Sequence, residues 1–119
     1  MDKVNLKKKL ELIKKHWDPK IVGELNGQHI RLVKFQGEFV WHKHEIEDEL
    51  FFVLAGSFDM QYRDKSVTVN EGEFIIVPHN VEHCPKADRE VHVMLFEPAE
   101  VVNTGNAGGD RTITNIEHI

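Results

Sequence analysis

The chain has 119 residues, 40% of them hydrophobic and 29% charged, which is typical of one soluble globular domain. Residues 1–16 carry six lysines against two acidic residues, a charge of +4, so the total of −5 leaves −9 on a body too acidic to bind nucleic-acid phosphates. A single cysteine, Cys84, excludes a disulfide framework, and the lack of a long apolar run or a secretory signal predicts a cytoplasmic protein without a membrane segment.

The amino-terminal segment, residues 1–17, is predicted to form a short helix. Asn5 suits an N-cap, and Leu6, Leu10 and Ile13 then fall on one stripe at i, i+4 and i+7. The sequence Asp18-Pro19 is expected to stop the helix. Because its apolar stripe is thin, we expect the helix to lie against the outside of a larger body or against a partner subunit.

From Lys20 onward the hydrophobic period changes to two, as in β-strands. Asn26-Gly27 lies between KIVGEL and QHIRLVKF and predicts a hairpin with a type I′ turn, after which Gly37 is expected to end the second strand. The later strands are SFDMQYR, SVTV, EFIIV and, after a turn at residues 86–89, EVHVMLFE. Many short strands without a βαβ rhythm predict an all-β, antiparallel sandwich or barrel over residues 20–98.

Residues 99–119 are predicted to form a tail. Its first part is rich in glycine and asparagine and is expected to be a loop. Its last part, RTITNIEHI, is interpreted as an edge strand or as an arm that pairs across a dimer.

The stretch GEFVWHKHEIEDELFFVLAG, residues 37–56, contains the residues with metal-binding chemistry. His42 and His44 are two apart, so an extended chain directs both imidazoles to one face. Glu49 would lie on the opposite face of an unbroken strand, which requires a turn or bulge within residues 45–48. Further along, Pro78 ends a strand and Asn80 can adopt the left-handed conformation of a sharp turn, which brings His83 back inside.

These residues resemble the two sequence motifs of the cupin superfamily. The first motif is carried by Gly37, His42, His44, Glu49 and Gly56, and the second by Gly72, Pro78 and His83, with Asn80 where the family has glycine. The resemblance implies an antiparallel double-stranded β-helix, also called a jelly roll, here with a short amino-terminal helix. It also implies that one metal ion is bound by His42, His44, Glu49 and His83.

Three imidazoles and one carboxylate would form a site of intermediate hardness, suited to divalent Fe, Mn, Ni, Co, Cu or Zn. On an octahedral ion these four ligands leave two positions open, as a catalytic rather than a structural site requires. A His-x-His pair alone is more often part of a polar sheet face. The pair together with Glu49, His83 and the glycine and proline frame favours a metal site.

Several other side chains are interpreted with alternatives. His92 is a candidate general base or a hydrogen-bond donor to a metal ligand, with an ordinary surface or core histidine as the alternative. Cys84 is interpreted as a small buried hydrophobe rather than a nucleophile. Core packing rather than substrate stacking is predicted for Phe51, Phe52, Met60 and Phe96.

The strand that begins at Glu49 is apolar on both faces, so its outward side chains, Leu50, Phe52 and Leu54, must be covered. Either the amino-terminal helix or a second subunit covers them. Small cupins resemble each other in forming dimers, and we predict a homodimer.

Two functions are compatible with the sequence. In the first, the protein is a metal-dependent enzyme, dioxygenase-like or isomerase-like, that acts on a small metabolite. In the second, it is a non-enzymatic, metal-dependent protein that binds or senses a small molecule. A narrow and apolar pocket would favour binding or dioxygen chemistry, whereas charged groups facing the ion would favour isomerase or lyase chemistry.

Overall fold

Antiparallel strands form most of the regular structure in the computed structural model, which describes residues 2–113 and 115–119. The elements are α1 (Leu6–Glu11), β1 (Lys20–Leu25), β2 (Gln28–Glu38), β3 (Glu49–Ala55), β4 (Ser57–Tyr62), β5 (Ser66–Asn70), β6 (Phe74–Val77) and β7 (His83–Pro98). The strands are ordered β1-β2-β7-β3-β6, and the β4–β5 hairpin pairs with the other end of β7. This arrangement confirms the predicted all-β, antiparallel jelly roll with a short amino-terminal helix.

Strand β7 connects the two parts of the sheet and contains no turn at residues 86–89, where the sequence predicts one. Its first residues pair with β4, and its second half pairs with β2 and β3. Between these halves, residues 88–90 of β7 form a bulge opposite the single β2 residue that lies between Phe35 and Gly37. The pairing register of the two strands shifts at this point. Gly37, with a φ of 85°, therefore belongs to β2 and does not end it.

Helix α1 is shorter than the predicted segment of residues 1–17. Asn5 is its N-cap as predicted, since its side-chain oxygen accepts a hydrogen bond of 3.0 Å from the Lys8 amide. The helix ends at Glu11, after which Ile13 is buried and Trp17, with a φ of 61°, stacks on Phe35. Packing against the barrel thus sets the helix end. No helix of the described residues is long and apolar enough to cross a membrane.

The hydrophobic core lies between the inward faces of β2 to β7 and contains Phe51 and Met60, as predicted. Phe52 and Phe96, also predicted as core residues, instead lie on the outer face of the sheet and are half-buried. The reason is alternation: in β3 and β7 the residues on either side of them point into the core.

The carboxyl-terminal residues return to the edge of β1 in the same chain. The Ile21 amide donates to the Glu117 carbonyl at 2.9 Å, and the Ile119 amide donates to the Ile21 carbonyl at 3.0 Å. Of the two interpretations of RTITNIEHI, this parallel bridge agrees with an edge segment, while Thr114 lies outside the described residues.

Candidate metal centre

The segment between β2 and β3, residues 39–48, positions His42 and His44 without forming a continuous strand. His42 makes an isolated bridge with His83, in which each amide donates to the other residue's carbonyl, at 3.0 and 2.9 Å. A bend at Glu45 and Ile46 then changes the direction of the chain, as predicted for residues 45–48. Strand β3 consequently begins with Glu49 pointing inward.

The four predicted metal ligands meet at one point inside the barrel. One donor atom from each of them lies within 4.8 Å of all the others: His42, His44, Glu49 and His83. Glu49 Oε1 is 3.3 Å from His44 Nε2 and 3.8 Å from His83 Nε2. All four residues are buried, with at most 5% of their surface exposed.

The hydrogen bonds around the imidazoles leave donor atoms free toward the centre. Nδ1 of His42 lies 2.8 Å from the Val40 carbonyl, and Nδ1 of His83 lies 2.8 Å from the Val81 carbonyl. A carbonyl only accepts, so Nδ1 carries the proton in both rings and Nε2 presents its lone pair to the centre.

Three buried atoms in the cluster have no hydrogen-bond partner outside it: His44 Nε2, His83 Nε2 and Glu49 Oε1. Leaving such an atom unsatisfied costs about 1–3 kcal/mol. Coordination to an ion would remove this cost at all three atoms. The donor set therefore fits a divalent transition metal.

The electrostatic surroundings favour the protonation states that a metal needs. Burial, and then the neighbouring His83, lower the pKa of His42 to about 4, so this imidazole is neutral at pH 7. Burial by itself would raise the pKa of Glu49, but its interactions with the neighbouring Glu97, His44 and His83 outweigh burial and hold that pKa well below its usual range. The cluster thus presents a neutral ligand and an ionised one at neutral pH.

Behind Glu49 lies a buried ion pair that the sequence reasoning did not identify. Arg31 donates from Nη1 to Glu97 Oε1 at 2.8 Å, and both side chains are 1% exposed. The Glu97 carboxyl is within hydrogen-bonding reach of Glu49; burial and then the charge of Glu49 raise the pKa of Glu97 well above its usual range. Alternation in the sequence places Glu97 on the same face of β7 as Val93 and Leu95, and the packing of β7 makes that face the inner one.

A narrow, mostly apolar cavity adjoins His42 and Glu49. Its other walls are formed by Trp17, Pro19, Val33, Phe35, Phe39, Phe51, Pro85, Leu95 and Asn103. The cavity has a volume of about 40 Å³, measured as the space that the centres of water molecules can occupy, and it can hold only a few waters. The side-chain amide of Asn103 already makes two hydrogen bonds. Its Nδ2 donates to the Arg111 carbonyl at 2.7 Å, and its Oδ1 accepts from the backbone N–H of Ile113 at 2.9 Å. Apart from the ligands, the cavity walls formed by described residues carry no charged group.

Two other residues singled out in the sequence lie away from this centre. His92 is on the outer face of the sheet, since Val91 and Val93 point into the core, and its Nε2 is 2.9 Å from Glu90 Oε1. The structure therefore does not bring His92 to the metal ligands. Cys84 is fully buried, and burial raises the pKa of its thiol to about 11, which agrees with a packing residue rather than a nucleophile.

A second group of possible ligands, Glu24, His29 and His118, lies near the surface. His29 Nε2 is 3.1 Å from Glu24 Oε1, while its Nδ1 is 3.1 Å from Nη2 of Arg31. Arginine can only donate, so Nδ1 accepts and the neutral ring carries its proton on Nε2. In this arrangement His29 has no lone pair to offer, and the group does not fit a metal ion.

Comparisons with known proteins agree with this fold. The family model described as a cupin domain matches residues 30–98. A crystal structure of a cupin-2 domain protein from Shewanella frigidimarina is 40% identical, covers 80% of this chain and 93% of its own, and superimposes with a TM-score of 0.79. For a protein of Neisseria meningitidis the identity is 33%, the coverage 82% and 100%, and the TM-score 0.75.

Among curated proteins, the uncharacterized protein YdbB of Bacillus subtilis is 35% identical over 63 residues, which is 52% of this chain and 56% of that protein. The similarity thus spans little more than half of YdbB. The region matched by the cupin-domain model includes the strands that carry the cluster and all four of its residues. By sequence and by fold, the chain belongs to the cupin family.

Proposed function

We propose that this protein is a metal-dependent enzyme of the oxygenase class, acting on a small metabolite at the centre formed by His42, His44, Glu49 and His83. The observation that supports this choice is the cavity beside the cluster, which is narrow and apolar. Isomerase or lyase chemistry would call for charged groups facing the ion, and the described cavity walls carry none apart from the ligands. A bound divalent ion would supply Lewis acidity and, if it is redox-active, a site for dioxygen.

The residues of the chain would bind and shield the reactants. The neutral His42 and the ionised Glu49 provide ligands without a prior proton transfer. Trp17 stacks between the rings of Phe35 and Phe39, at centroid distances of 4.4 and 4.6 Å, and closes one side of the cavity to water. A dry, apolar wall of this kind suits a substrate that is uncharged apart from the oxygen atoms that reach the metal.

The alternative is a non-enzymatic protein that binds or senses a small molecule through its metal. The small volume of the cavity favours this alternative, because a substrate of more than a few atoms fits only if the walls move. The walls also hold no acid or base besides the metal ligands, among the residues described.

We extend the proposal to a cytoplasmic homodimer. The cytoplasmic location rests on composition alone. The dimer is supported by the outer face of the sheet, where half-buried and exposed apolar side chains from β3, β6 and β7 adjoin one another: Leu50, Phe52, Phe74, Ile76, Met94 and Phe96. A contiguous apolar face of this kind is rarely left in water.

The metal centre is tested by elemental analysis of untagged protein and of the variants Glu49→Ala and His83→Ala. We expect about one ion per wild-type chain and a severe loss in both variants, because each removes a ligand from a four-ligand site. His92→Ala, on the outer face, is the matched control and should keep its metal. Unchanged metal stoichiometry in Glu49→Ala or His83→Ala would contradict the assignment.

The reaction class is tested by oxygen uptake of the iron-reconstituted protein with small diols, thiols and keto acids. Substrate-dependent oxygen consumption with uncharged diols is the expected result. If the protein binds iron but consumes no oxygen in the presence of any of these compounds, the oxygenase proposal is rejected. Isomerase chemistry or the binding role would then be favoured.

A further inference from the structure

The tail contacts the chain between the two histidines of the cluster. The backbone N–H of Lys43 donates to the side-chain oxygen Oδ1 of Asn106 at 2.9 Å, and the backbone N–H of Asn106 donates to the Lys43 carbonyl at 3.2 Å. One asparagine therefore satisfies both peptide groups of the residue between His42 and His44.

This contact completes a ladder that is otherwise one-sided. In an extended chain the peptide groups of neighbouring residues point to opposite sides. Those of His42 face β7 and pair with His83, whereas those of Lys43 face away and pair with Asn106. Asn106 thus takes the place of a neighbouring strand on the side where the segment of residues 39–48 has none.

Gly105 allows the tail to approach this closely. Its φ is 53°, and a Cβ atom at this position would overlap the Lys43 carbonyl oxygen and come within 3.2 Å of Cδ2 of His42. The tail therefore packs against the backbone of Lys43 and against the imidazole of a predicted ligand.

The tail is braced so that this contact is held in place. Arg31 donates to the carbonyls of Ala99 and Val101, at 3.1 and 3.0 Å, and fixes the start of the tail. The hydroxyl of Thr104, a fully buried residue, lies 2.5 Å from that of Thr112 and closes the loop that carries Gly105 and Asn106.

We propose that Gly105 and Asn106 are positioning residues of the metal centre. They hold the peptide groups of Lys43 and so set the spacing and orientation of the imidazoles of His42 and His44. This inference rests on the proposed metal centre, and it concerns residues that lie outside the region matched by the cupin-domain model.

The test compares Asn106→Ala with Asn106→Asp, which keeps an acceptor oxygen for the Lys43 amide. Cobalt(II) affinity and the cobalt absorption spectrum are measured for both, and hydrogen exchange of the Lys43 amide is measured without metal. We expect Asn106→Ala to weaken cobalt binding by about 10–100-fold, shift the spectrum and speed Lys43 exchange. Asn106→Asp should retain the spectrum and the protection of the Lys43 amide.

A second pair of variants covers the case in which Asn106→Ala perturbs the whole fold. Gly105→Ala places a methyl group against Lys43 and His42. Gly108 has a similar φ of 64°, but a Cβ atom added there would have no atom within 4 Å. We expect only Gly105→Ala to alter the cobalt spectrum and affinity. Gly108→Ala controls for backbone strain.

The outcomes separate this inference from the proposed function. If the wild-type protein binds cobalt and neither Asn106→Ala nor Gly105→Ala changes its affinity or spectrum, the positioning role is overturned while the metal centre stands. If the wild-type protein binds no cobalt, the metal centre itself is overturned.

Discussion

At the scale of single residues, burial determines the chemistry of the candidate site. His42 has lost most of its hydration and lies next to another imidazole, so its charged form is disfavoured and its pKa falls. Arg31 is the buried cation behind the site, and through its contact with Glu97 its charge offsets part of the acidic charge that Glu49 brings into the barrel. The cluster is prepared for a metal by its surroundings as much as by its residue types.

The lowered pKa of His42 predicts that the metal-free protein loses stability in mild acid. The pKa of His42 is 6.5 in the unfolded chain and about 4 in the folded chain. Between these two pH values the unfolded chain binds a proton at His42 that the folded chain does not bind. The free energy of unfolding therefore falls as the pH decreases from 6.5 to 4. We expect this residue to lower the free energy of unfolding by about 2 kcal/mol between pH 7.5 and pH 5. Urea unfolding at the two pH values measures the change.

The His42→Asn variant serves as the control, because it cannot take up the proton. Its unfolding free energy should vary with pH by about 2 kcal/mol less over the same interval. The same pH dependence in the wild type and in His42→Asn would contradict the proposed origin of the effect.

At the scale of elements, connections are placed by close approach to β7. The turn between β3 and β4 contains Gly56, with a φ of 85°, and a Cβ atom there would lie 3.1 Å from the Glu90 carbonyl oxygen and 3.4 Å from Val91 Cα. The turn before β6 contains Gly72 with nearly the same φ, 82°, and nothing within 4 Å. Both glycines satisfy a left-handed conformation, but only Gly56 also avoids a clash.

We therefore expect Gly56→Ala to destabilise the fold more than Gly72→Ala. Gly72→Ala should lower the free energy of unfolding by about 1 kcal/mol, the cost of a positive φ in alanine. In Gly56→Ala the new methyl group must also displace the backbone of β7, so the loss should be about 2–3 kcal/mol. Urea unfolding of both variants gives the comparison. Equal losses would mean that backbone conformation alone explains the requirement for glycine at position 56.

At the scale of the whole molecule, the apolar outer face of the sheet is the feature that a single chain leaves unexplained. Phe74 is 59% and Ile76 51% exposed on β6, next to Leu50 and Phe52 of β3. Helix α1 contacts β2 at the other end of this face, where it lines a groove together with Leu54 and His92. A second subunit would cover what the helix does not.

The proposed homodimer predicts that a charge on this face separates the subunits. Phe74→Lys should shift the mass measured by sedimentation equilibrium from two chains to one, because a dimer would have to bury the ammonium group. Leu12→Lys, at a residue that is 60% exposed at the end of α1, should leave the mass unchanged. A wild-type protein that sediments as one chain would reject the dimer.

Features that depend on a few neighbouring residues could be predicted from the amino-acid sequence. Asn26 and Gly27 have φ values of 52° and 78°, as a type I′ turn requires, and Asn80 has a φ of 64° in the turn that returns His83. Local geometry accounts for the shared face of His42 and His44 and for the two turns, whereas the convergence of all four candidate ligands was predicted through the resemblance to the cupin motifs. The pairing of His42 with His83 joins residues distant in sequence.

Features that depend on contacts between residues distant in sequence emerge only in the folded chain. Strand parity is ambiguous where both faces of a strand are apolar, so the outward position of His92 and the inward position of Glu97 follow from how β7 packs. The end of α1 follows from the burial of Ile13 and the stacking of Trp17 on the barrel. The contact of Asn106 with Lys43 joins residues that no local pattern connects, because the energy that holds them together arises only after the chain has folded.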